Sequence, residues 1–174
     1  MTMPPGLRKL ALTLHVATSV GWLGAVAAFL ALAVAGLVSL DDLRVRGVWL
    51  AAEVFGWWVI LPLALASSVT GIVQSLGTAW GLVRYWWVIA KAVITVPCTL
   101  LLLLHLQVIR AIGAAAADTS MSVHASRALG VQLTVDAGAA LVVLIVATGF
   151  SVFKPRGLTR YGQRKLREER AATP

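Results

Sequence analysis

Five ionisable side chains lie inside long apolar runs of this sequence: His15, Glu53, Lys91, His105 and Asp136. Away from water such groups are costly unless they face protein and find partners, so each is a candidate for chemistry. Counting the helical rise from the ends of the runs sorts them into two layers. His15 and Lys91 lie at one level, about 9 Å inside the same end. Glu53, His105 and Asp136 lie toward the other end, at roughly 7 to 13 Å depth counted from Arg46, Arg110 and Arg127. In the first layer, a neutral imidazole is a common axial ligand of b-type haem. A lysine beside it would anchor a propionate or another acidic group. Trp22 falls in line with His15 and Ser19, which makes His15, Lys91 and Trp22 the candidate cofactor-binding set. In the second layer, the imidazole and two carboxylates of His105, Glu53 and Asp136 suit either a metal ion or a proton relay. His15 and His105 stand on the order of 20 Å apart along the helix axes, too far to share one iron. Either one of them ligates alone or each belongs to its own layer.

Each candidate also has a plain structural explanation. A single histidine inside a span can be a hydrogen-bonded packing residue. Lys91 is shallow enough to snorkel toward the interface. The second layer can be a mutually satisfied polar cluster, and Cys98 a small buried hydrophobe. As the only cysteine in the sequence, Cys98 allows no internal disulfide and no thiolate cluster.

The elements that must position these residues are apolar helices. The chain has 174 residues, of which 59% are hydrophobic and only 13% charged, and its mean hydropathy is +0.87. That balance excludes a soluble enzyme, a disordered tail protein and a disulfide scaffold. Four spans are predicted, over residues 10–40, 48–76, 85–109 and 129–153, followed by a basic tail over 154–174. The first is too long for a signal peptide, and three similar runs follow it. The fold class is all-α: a polytopic membrane protein with four transmembrane helices in an up-down antiparallel bundle. Asp41 and Asp42 are placed to cap the second helix, and Gly77 to Gly81 reads as a turn. The longest connection is expected over 110–126, with the small residues Gly113 to Ala117 and with Met121 and His124 outside the bilayer. Gly21 with Ala25, and Gly24 with Ala28, have the spacing that lets helices approach closely. Trp49, Trp80, Trp86 and Trp87 read as interfacial belt residues.

Charge sets the orientation. The 15 basic and 7 acidic residues give a net charge of +8, gathered at the ends of the spans. With four spans, Arg8, Lys9, Arg84 and the tail cluster (Lys154, Arg156, Arg160, Arg164, Lys165, Arg167, Arg170) share one side. Only Arg44, Arg46, Arg110 and Arg127 fall on the other. The positive-inside rule makes both termini cytoplasmic. Much of the tail reads as a solvated charge run, although Leu158, Tyr161 and Leu166 would let it lie on anionic lipid as an amphipathic helix. No nucleic-acid module accompanies it. The lipid bilayer is thus the first partner, and a second copy or another membrane protein remains open.

Helical phase turns the polar groups inward. Lys91, Thr95, Cys98 and His105 form one stripe on the third helix. Glu53, Trp57, Ser67, Gly71 and Gln74 share a broad face on the second. Gln132 and Asp136 lie one turn apart on the fourth. Pro62 and Pro97 should free the carbonyls of Trp58 and Val93 and bend their helices.

His15, Val16 and Ala17 followed by Trp22, Leu23 and Gly24 resemble a motif of several small bacterial membrane families. The segment Trp86 to His105, with Trp87, Lys91 and His105, resembles their later helix. The chain resembles an uncharacterised family of four-helix bacterial inner-membrane proteins. More loosely it is similar to CopD-type copper-resistance membrane domains and to HemJ-type protoporphyrinogen oxidases, which bind haem. The HemJ-type likeness implies His15 as haem ligand and Lys91 as a functional cation beside it. Three functions follow as expectations: a haem b redox protein, an ion or metal permease using Glu53, His105 and Asp136, or an accessory subunit without catalytic activity.

Overall fold

The computed structural model describes residues 3–78, 81–118, 123–153 and 157–171. Apart from turns and one isolated bridge, these residues form five helices: α1 Pro5–Val38, α2 Asp42–Leu76, α3 Trp86–Ala117, α4 Val123–Phe153 and α5 Arg160–Ala171. The first four are long and apolar enough to cross a membrane. Each of the four expected spans corresponds to one of these long apolar helices, which is longer than its apolar run predicts. The largest difference is after residue 109, where Gly113 to Ala117 continue α3 instead of opening a loop. Alanine is the best helix former, so a small-residue run need not mark a turn. Trp80, Met121, Lys154 and Arg156 lie outside the described residues, as does the side chain of His124.

Local chemistry explains the helix starts. Pro5 opens α1, where its missing N–H costs nothing. Asp41 caps α2, its Oδ1 accepting from the Leu43 N–H at 3.1 Å. Within α2, Gly56–Ile60 form one π-helical turn closed by the Leu61 N–H on the Gly56 carbonyl. Pro62 follows directly and has no N–H to offer the Trp58 carbonyl. A π-turn holds one residue more than an α-turn, which adds about 100° of phase. The two halves of α2 consequently face different neighbours. Residues 42–55 pack chiefly on α3, and residues 61–76 pack chiefly on α1. The single broad face expected for Glu53, Trp57, Ser67, Gly71 and Gln74 does not form.

α1 also packs on α4, and α4 on α3. The shared core includes Trp22, Phe29, Trp49, Ile60, Leu106, Ile112 and Leu133. At one end the Met3 N–H reaches the Gly77 carbonyl at 3.0 Å, and the Thr159 N–H reaches the Arg84 carbonyl at 3.0 Å. At the other, Arg46 donates to the last carbonyls of α3, Ala116 at 3.2 Å and the adjoining Asp118.

Two expectations about packing change. Trp49 is only 2% exposed and belongs to the core, not to an interfacial belt. Its ring fills the gap between α1 and α4: a Cβ at Gly36 would stand 3.1 Å from Trp49 Cζ2, and one at Gly130 would stand 2.8 Å from the same atom. Gly21 packs against Leu63 as its spacing suggests, but Gly24 meets nothing within 4 Å and Ala28 is exposed. Only one of the two small-residue faces of α1 is buried. Gly130→Val should therefore lower the thermal midpoint of detergent-solubilised protein, at a cost of roughly 1–3 kcal/mol from overpacking. Gly24→Val should leave it unchanged, and an equal loss at both positions would contradict this packing.

Candidate functional site

Hydroxyl groups on apolar helices must send their hydrogens somewhere, and here most donate to the carbonyl four residues back. Thr70 does so to Ala66 at 2.6 Å, Thr95 to Lys91 at 2.9 Å, Thr99 to Thr95 at 2.9 Å and Ser151 to Ala147 at 3.1 Å. The oxygen lone pairs stay free to accept from a neighbouring helix.

Lys91 and His15 meet on that basis. Lys91 Nζ donates to Ser151 Oγ at 2.8 Å and lies 3.2 Å from His15 Nε2. An ammonium has no lone pair, so Nε2 must be the acceptor and the ring proton must sit on Nδ1. Nδ1 lies 3.2 Å from Thr70 Oγ1, which accepts it. Each of the four long helices supplies one group: His15 from α1, Thr70 from α2, Lys91 from α3 and Ser151 from α4. Gly71 makes the space, since a Cβ there would stand 3.0 Å from His15 Cε1. Around this centre Ser19 and Ser67 hydroxyls pair at 2.8 Å, and those of Ser68 and Thr99 approach to 3.4 Å. Lys91 thus points inward to α1 and α4. Among the described residues no carboxylate pairs with it.

The shared level expected for His15 and Lys91 is a direct contact. Trp22 does not join it. That ring is 3% exposed and packs with Ala25, Val26 and Phe29 in the core. Thr70, Gly71 and Ser151 were not singled out by sequence as site residues. Single hydroxyls in apolar runs give little signal until the helices that carry them are brought together.

The second layer comes together only in part. His105 Nδ1 lies 2.7 Å from the Leu101 carbonyl, which can only accept, so Nδ1 carries a proton. His105 Nε2 lies 2.7 Å from Asp136 Oδ2. That contact does not meet hydrogen-bond geometry, and Asp136 Oδ2 is buried without a hydrogen-bond partner. Glu53 stands apart, against Gly113, about 12 Å farther along α3 than His105. Among the described residues no three His, Cys, Asp or Glu side chains are grouped to hold a metal ion. Nearby, Arg110 lies over the Trp57 ring at 4.9 Å.

Haem b is the group the family resemblance implies, and its iron requires an open imidazole lone pair. The Nε2 of His15 is occupied by Lys91, Nδ1 faces Thr70, and the ring edge abuts Gly71. As these side chains stand, His15 offers no free nitrogen to an iron. Fold and site together define an all-helical protein with four candidate membrane spans and a lysine–histidine centre built from all four. Nothing among known families, curated proteins or solved structures matches this chain.

In ¹⁵N NMR of labelled protein, His15 should show the Nδ1–H tautomer, and Lys91→Met should release it to a tautomer mixture. An Nε2–H signal in the unmodified protein would contradict the contact. Gly71→Val should displace the ring and perturb the same resonances.

Proposed function

We propose that this chain is an integral membrane protein of a bacterial inner membrane that binds the acidic group of a ligand at His15 and Lys91. The four long helices cross as an up-down antiparallel bundle with both termini cytoplasmic, which puts the site in the cytoplasmic half of the bilayer. The observation that carries this reading is an inward-pointing ammonium whose partners are both neutral. A lysine at the centre of a span costs about 2.5–3.5 kcal/mol on insertion scales, an upper bound for Lys91, which lies near the start of α3. An anion 4 Å away returns about 4 kcal/mol at an effective dielectric of 20, enough to offset that cost. A carboxylate or phosphate on a membrane-soluble ligand is the matching chemistry. Orientation is supported by the basic residues of the termini and of the connection that ends at Arg84.

Haemin and oleate are suitable probes, because both carry carboxylates on apolar bodies. Purified protein should bind at least one of them. Lys91→Met should weaken that binding about tenfold or more, and Lys91→Arg should retain most of it. Equal binding by unmodified and Lys91→Met protein would sink the proposal and favour an accessory subunit.

Two further readings have tests of their own. The haem redox reading rests on the family resemblance alone, and the contact of Lys91 with His15 Nε2 stands against it. That reading predicts a Soret band in purified protein that changes in His15→Ala. The permease reading rests on the close approach of His105 to Asp136, and Asp136→Asn should then abolish transport in liposomes. For orientation, Arg167→Cys in a Cys98→Ala background should react with a membrane-impermeant maleimide in inside-out vesicles but not in intact cells.

A further inference from the structure

The basic tail is latched to the bundle, not free of it. Thr159 is the latch: its N–H donates to the Arg84 carbonyl at 3.0 Å, and its hydroxyl donates to the Val83 carbonyl at 2.7 Å. The same oxygen caps α5 by accepting the Gly162 N–H at 3.0 Å. The Trp86 N–H closes the junction on the Gly157 carbonyl at 3.2 Å. Gly162 lies so close to the Arg84 carbonyl that a Cβ would not fit. The first turn of α5 is therefore fixed beside the start of α3.

Between the two helix starts runs an open groove. Val83, Trp86 and Ile89 form an apolar wall, and Thr159, Arg160 and Tyr161 form the other. Trp86 is 60% exposed and Tyr161 56%, the amphipathic aromatic pair found where a protein meets the headgroup layer. The charges on α5 are not equivalent. Arg164 and Lys165 share Glu168, at 3.0 and 3.8 Å, whereas Arg160 has no acidic partner among the described residues. Arg167 and Arg170 likewise have none, and of these three cations only Arg160 lines the groove.

We propose that this groove binds one anionic phospholipid, its phosphate on Arg160 and the upper part of an acyl chain along Val83, Trp86 and Ile89. The inference rests on the membrane-spanning reading above and adds a defined site to the general attraction of a basic tail for acidic lipid. The occupant is a lipid because the groove joins an apolar wall to a single cation at the level where α3 begins.

Native mass spectrometry of the full chain, extracted in detergent and titrated with phosphatidylglycerol or phosphatidylcholine, tests it. One phosphatidylglycerol should bind about fivefold more tightly than phosphatidylcholine, the effect of one basic side chain on one anionic headgroup. Arg160→Gln should remove that preference, and Arg164→Gln should keep it. Independently of either variant, phosphatidylglycerol with brominated acyl chains should quench tryptophan fluorescence more than brominated phosphatidylcholine does. Trp86→Phe should erase the difference. Equal binding of the two lipids, a preference that survives Arg160→Gln, or equal quenching would overturn the site. Recovery of the protein in the soluble fraction without detergent would instead overturn the membrane-spanning reading itself.

Discussion

A hydrogen bond donor in an apolar layer has no water to turn to, and that constraint organises the interior of this protein. Serine and threonine hydroxyls give their hydrogens to their own helices and keep their lone pairs for neighbours. Thr70 and Ser151 can therefore only accept across the interface, which is what a lysine and an Nδ1–H imidazole need. The tautomer of His15 follows from the same accounting. Interhelical hydrogen bonds between apolar helices average only about 0.6 kcal/mol, so the contacts to Ser151 and His15 add little. The arrangement orients Lys91 without neutralising it.

The two polar layers differ in kind. Around Lys91 all four long helices contribute, and a change in any of them is felt at one centre. At the other end the contacts are pairwise: His105 with Asp136 between α3 and α4, and Glu53 against Gly113 between α2 and α3. A centre shared by four helices can couple a bound group to the packing of the whole assembly, whereas a pairwise contact can change while the other helices stay in place.

Much of this was legible in the sequence through composition and helical rise. Uncharged runs locate the spans, and counting along them places His15 and Lys91 at one level before any contact is seen. Neighbour identity was not legible. Trp49 looks interfacial by depth, and only the facing positions of Gly36 and Gly130 make it a core residue. Gly24 and Gly21 have the same spacing to an alanine, but spacing does not say which face meets another helix. The alanines after Gly113 look like a loop because small residues serve both turns and helices. Depth depends on distance along one chain. Contact depends on the rotation of several.

The π-turn at Gly56–Ile60 makes that rotation a matter of residue count. Thr70 and Gly71 reach His15 because one extra residue sits upstream of them. Their position at the site is set by a length, not by a side chain. A shortening of this turn by one residue would leave every site residue in the sequence and every helix intact, yet would swing the second half of α2 to another neighbour. Sequences that differ here by one gap would thus keep the same composition and hydropathy profile while presenting a different surface to His15.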